Sequence, residues 1–110
     1  MATYINGPKV AFAFEQVTVD STGGGFGLTG TTIDTFDSTT KEHRKASEAQ
    51  LSVETAQIRY TVDGTAPTTT VGHIANDGDI LVITGQQNLT KFKAIRTGAT
   101  SATLTVTYYE

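Results

Sequence analysis

The sequence predicts an all-β chain folded as an antiparallel immunoglobulin-like β-sandwich of about seven strands. Three observations carry this expectation. Threonine supplies about a fifth of the residues, and its β-branched side chain, stiff at χ1, suits a pleated surface better than a helix. In the final segment Ala102, Leu104, Val106 and Tyr108 alternate with Thr103, Thr105, Thr107 and Tyr109, the period of two that sends one set inward. Short apolar runs are separated by turn dipeptides and glycine clusters, the punctuation of a sandwich. A chain of 110 residues, 37% of them hydrophobic, can bury one core and make one domain. With no cysteine, that core must hold the fold unaided.

Taken in order, Val10, Phe12 and Phe14 share one parity and Val17 and Val19 the other. Residues 10–19 therefore form one bent strand or two, with a β-bulge at Glu15 and Gln16. Phe12, Phe14 and Phe92 are expected in the core. Gly23 to Gly30 is too rich in glycine for a regular element and reads as a flexible loop, followed by a weak strand over 31–36. Between Thr39 and Gln50, Thr39 and Glu42 have capping-box spacing, but the only apolar stripe is Ala46 and Ala49. That is too thin to bury a helix, so a helical turn or exposed linker is expected. Leu51 with Val53, and Ile58 with Tyr60 and Val62, make two neighbouring strands. Asp63-Gly64 and Ala66-Pro67 end the second and open a long loop. Asn76 to Asp79 is a turn, and the unbroken run Ile80 to Ile83 reads as a central strand covered on both faces. Phe92 and Ala94, alternating with Lys91 and Lys93, belong to a strand over 89–96.

The same residues exclude most chemistry. A net charge of −3 disfavours nucleic acid and anionic membranes, which need clustered Lys and Arg. No basic stretch followed by an apolar run opens the chain, and no window nears 18 apolar residues, so neither a signal peptide nor a membrane span is expected. Gly25 to Gly30 has the spacing of a dinucleotide fingerprint, but the β-branched residues after it cannot supply the required helix. His43 and His73 each lack a second nitrogen or sulfur ligand at metal spacing and read as a solvated linker residue and a ring packed in a loop. The carboxylates are scattered, and Asn76, Asp77 and Asp79 lack the closing bidentate Glu of a calcium loop. No catalytic, cofactor-binding or metal-binding residue is assigned, and no enzyme is expected. Parity sends one of Tyr108 and Tyr109 outward, and an exposed Tyr109 would offer a rigid aromatic anchor.

Ile58 to Thr68, with Tyr60-Thr61, Asp63-Gly64-Thr65 and Pro67-Thr68, followed by Phe92-Lys93-Ala94-Ile95-Arg96, resembles the immunoglobulin-like accessory domain at the C-terminal end of chitobiases and related glycosidases. The chain resembles small virion proteins of tailed bacteriophages over more of its length, from Ala49 to Glu110, through Leu51 to Tyr60, Asp63-Gly64, Pro67-Thr68, Val71-Gly72-His73, Gly78-Asp79 and Phe92 to Thr100. This resemblance implies a noncatalytic structural protein made in the host cytoplasm and located on the capsid surface. It would be a decoration or cement protein that binds the assembled shell in many copies. The implied partner is the major capsid protein or another virion protein, and a homo-oligomer such as a trimer would match local threefold positions. The expected contacts are a flexible arm over residues 1–8 with Tyr4, the loop residues Gly24, Gly25 and Phe26, and Tyr109. The alternative is a carbohydrate-binding accessory module, which needs exposed aromatic platforms and, without tryptophan, would have to use tyrosine.

Overall fold

The computed structural model describes residues 10–37 and 41–110, so the arm over 1–8 and Tyr4 lie outside the described residues. Among the described residues, nine strands and two short helices follow one another as β1 (Ala11–Val19), α1 (Gly30–Ile33), β2 (Asp34–Asp37), β3 (Glu42–Lys45), β4 (Glu48–Glu54), β5 (Ile58–Thr61), β6 (His73–Ala75), β7 (Ile80–Thr84), α2 (Gln86–Lys91), β8 (Lys93–Arg96) and β9 (Ala102–Tyr109). A four-stranded antiparallel sheet in the order β1-β9-β4-β7 faces a three-stranded one in the order β6-β5-β8, with β2 and β3 forming a separate hairpin. The predicted β-sandwich is thus present, with seven strands in its two layers. The last strand lies inside the larger sheet, paired with β1 on one side and β4 on the other.

The core forms where alternation sends apolar side chains inward from both layers. Leu51 and Val53 of β4 and Leu104 and Val106 of β9 meet Ile58, Ala75 and Ala94 from the smaller sheet, with Phe92 and Leu89 closing one end. Leu89 and Phe92 lie in and just after α2, so the segment predicted as one strand over 89–96 is a helical turn leading into β8.

Several expectations need correction. The register break in β1 falls between Ala11 and Ala13, not at Glu15 and Gln16. This fixes Ala13, Glu15, Val17 and Val19 on the inward face and turns Phe14 outward, 62% exposed, while Phe12 is only half-buried against the core. Residues 31–36 divide between α1 and β2, and the expected linker over 39–50 contains β3 and the start of β4. Ala49 is buried on the inward face of β4, and Ala46 is buried in the link between β3 and β4, where its N–H donates to Ile33 O at 2.7 Å, so neither serves a helix stripe. The run Ile80 to Ile83 is an edge strand: among the described residues β7 pairs only with β4, and Ile80 and Val82 are 49% and 40% exposed.

Candidate docking surface

The outer face of the larger sheet is set by the same alternation that builds the core. Strand register aligns Phe14, Thr107, Gln50 and Val82 in one row across the four strands. The next row holds Gln16, Thr105, Ser52 and Ile80, and a third holds Thr18, Thr103 and Glu54. In these three rows Glu54 is the one charged side chain, and it is tied down; a fourth row of Tyr109, Glu48 and Thr84 carries Glu48, which is buried at 7% exposure. Thr105 Oγ1 donates to Glu54 Oε2 at 2.9 Å and receives Gln16 Nε2 at 3.2 Å. The face is therefore a threonine ladder flanked by exposed apolar groups, Phe14 on one edge strand and Ile80 and Val82 on the other. Such a surface can bury apolar area and exchange hydroxyl hydrogen bonds without desolvating many charges.

Behind the face, Glu15 joins three elements. Its Oε2 accepts the Tyr108 hydroxyl and the Thr29 N–H (3.3 Å), and its Oε1 accepts the Thr29 hydroxyl at 2.6 Å. Burial, followed by this hydrogen bond and the nearby carboxylate charge, pushes the Tyr108 phenol well above its ordinary range.

The expected contact residues are placed differently from one another. Gly24 is exposed at φ +90, with open space where a Cβ would sit. Gly25, at φ +79, leaves no room: an added Cβ would meet the Pro67 ring at 3.0 Å and the Ala94 carbonyl at 3.1 Å. Phe26 is half-buried and bridged to β8, its N–H donating to Ala94 O at 2.7 Å and its carbonyl accepting Ala94 N–H at 2.8 Å. The glycine segment is thus a docked loop whose own Leu28 reaches the core, instead of the loose one its composition suggested.

Tyr109 is a second correction. It has the outward parity of Thr107 but is only 6% exposed, because it lies at the closed end of the sheet. There Ser47 N–H donates to its carbonyl at 2.8 Å, and Arg44 Nη1 reaches Glu110 at 3.2 Å. It offers no anchor on the chain's surface.

The histidines and carboxylates outside this face have local partners. His43 Nε2 lies 2.6 Å from Asp34 Oδ1, with its ring edge-on to Phe36, and His73 packs its ring on Tyr60 at 5.4 Å between centroids. Asp79 Oδ2 accepts Asn76 N–H at 2.7 Å, Asp77 Oδ1 accepts Thr55 N–H at 3.1 Å, and Asn76 Oδ1 accepts Gln57 Nε2 at 2.7 Å, so these oxygens build the turn. Asp63 Oδ1 accepts Thr65 N–H at 3.0 Å, and bonds from Thr65 hold its carboxyl below the usual range. Beside it, Thr61, Asp63, Val71 and His73 line an open groove of about 460 Å3. No group of three histidine, aspartate or glutamate side chains converges among the described residues, and none of their helices is long and apolar enough to cross a membrane.

No family model, curated protein or solved structure matches the chain. The functional reading therefore rests on the residues, their geometry and the resemblance noted in the sequence. Tyr109 and the loop were visible candidates in the sequence, but the outer sheet face was missed. Its signal was present in the threonines at 103, 105 and 107, and it was lost when Phe14 and the run from Ile80 were assigned to the core.

Proposed function

We propose that this chain is a noncatalytic virion structural protein of a tailed bacteriophage. In this reading it decorates or cements the capsid, docking on the assembled shell in many copies. The observation that carries the reading is the charge-poor outer face of the larger sheet, with Phe14 standing out of it. A repeated structural contact needs a rigid, broad surface more than a cleft, and a face backed by β9 and β4 moves little on binding. The resemblance of residues 49–110 to small phage virion proteins, noted from the sequence, supports a shell as the partner over other protein surfaces.

Co-sedimentation with native capsids of the phage that encodes the chain tests the proposal. Saturable binding is expected, weakened at least about tenfold by Phe14→Glu, which buries a carboxylate in the contact without touching the core. Absence of binding, together with absence of the protein from purified virions by mass spectrometry, overturns it. The carbohydrate-module alternative keeps one supporting feature, the groove beside Tyr60 and His73. A glycan array separates the two, since a decoration protein of this kind gives no hits there.

A further inference from the structure

A sandwich of two open sheets has four edges, and each must either be protected or be used. On β8 the edge is occupied: Ala94 exchanges two hydrogen bonds with Phe26, and Arg96 N–H donates to Asp20 O at 3.1 Å. On β6 it is only three residues long. On β1 it carries a register break near Phe12 and the inward-pointing carboxylate of Glu15, both devices that discourage a new strand from adding. On β7 no such device is present among the described residues. Its five residues, Ile80 to Thr84, contain neither charge nor proline, and their register with β4 is unbroken.

The hydrogen-bond phase of β7 is fixed at both ends. Gly85 N–H donates to Ser47 O at 2.7 Å, and Val53 N–H donates to Asp79 O at 2.9 Å. Odd-numbered residues therefore direct their backbone groups toward β4, and Ile80, Val82 and Thr84 direct theirs toward the open side. Thr84 O is taken by Asn88 Nδ2 at 2.8 Å, whereas Ile80 and Val82 have no strand partner on that side among the described residues.

We propose that this edge pairs antiparallel with β7 of a second copy of the chain, joining two four-stranded sheets into one of eight across a twofold axis. The strand is self-complementary about Val82. In that register Val82 exchanges both backbone bonds with its own counterpart, and Ile80 faces Thr84, whose carbonyl would accept the Ile80 N–H with its second lone pair beside the bond from Asn88. The side chains that come together on the outer face are the two apolar residues left exposed there. No like charges oppose, because the strand has none, and Asp79 falls opposite the partner copy's Gly85. A charged or proline-bearing strand would make a poorer occupant than a second copy of this neutral one.

The native chain has no cysteine, so a single introduced thiol reports the contact. Directly opposed residues of a hydrogen-bonded pair lie about 5.5 Å apart between Cα atoms, within disulfide range. Val82→Cys should therefore give a covalent dimer on mild oxidation, while Thr18→Cys, at the far side of the same face, should not. Sedimentation equilibrium of the free wild-type protein, with no capsids present, should show a concentration-dependent dimer. Val82→Lys should weaken it by about tenfold or more while leaving the far-ultraviolet circular-dichroism spectrum of the folded chain unchanged. A wild-type monomer at every concentration reached, a dimer that survives Val82→Lys, or equal cross-linking at positions 82 and 18 overturns the inference. So does loss of shell binding in Val82→Lys without any free dimer, which would place Val82 in the shell contact instead of a self-contact.

Discussion

Tyr108 and Glu15 illustrate how one residue pair can hold a sheet, a loop and a titration together. Tyr108 is fully buried on β9, and its hydroxyl donates to a Glu15 carboxylate that also takes two bonds from Thr29. Burial and the neighbouring carboxylate raise the phenol's pKa in the folded state above its unfolded value of about 10. A group raised in this way contributes stability that is fully present below pH ~10 and is lost as the pH climbs above it. Tyr108→Phe should therefore cost about 1–3 kcal/mol at neutral pH, the usual worth of a hydrogen bond to a charged group. The gap from wild type should narrow between about pH 10 and 12. Urea denaturation of both proteins across that range checks the prediction, and a constant gap contradicts it. Nothing in the sequence marked this pair. Glu15 was read as the site of a phase slip, when its inward direction was the information.

Among the elements, those with strict alternation and a core to face were legible, and those whose neighbours decide their state were not. β9 and β4 could be read from Leu104, Val106, Leu51 and Val53 because all four are buried in the direction that parity gives. β7 was read as central because a run of apolar residues looks the same whether covered on one face or two, and only its lack of a second partner among the described residues makes it an edge. The glycine loop was read as loose from composition. Composition records conformational freedom, and it cannot register the close approach of Gly25 to Pro67 and Ala94. This distinction can be measured. Gly24→Ala should cost about 1 kcal/mol, from its positive φ alone. Gly25→Ala adds a clash with backbone and a buried proline ring and should cost about 1–3 kcal/mol more, read as a shift in denaturation midpoint. Equal costs at the two positions would mean that the loop is not docked on β8.

At the scale of the whole molecule, the sandwich separates its charge from its broadest surface. The chain carries a net charge of −3, yet the three rows of the outer face beginning at Phe14, Gln16 and Thr18 hold only Glu54 among charged groups. Charged interfaces associate quickly and weaken steeply with ionic strength, because screening shortens the reach of each pair to about 8 Å at physiological salt. A contact made by Phe14 and a threonine ladder draws instead on apolar burial and short neutral hydrogen bonds, neither of which depends on that reach. Shell binding by the proposed face should accordingly change by less than about threefold in Kd between roughly 0.05 and 0.5 M sodium chloride, whereas a contact dominated by ion pairs would lose far more over that range. Co-sedimentation at the two salt concentrations reads the difference. A steep loss would move the contact away from this face and toward charged positions such as those of the β2–β3 hairpin, where Asp34, Glu42, Arg44 and Lys45 are gathered. Retention at high salt, combined with loss in Phe14→Glu, would locate the contact on the sheet.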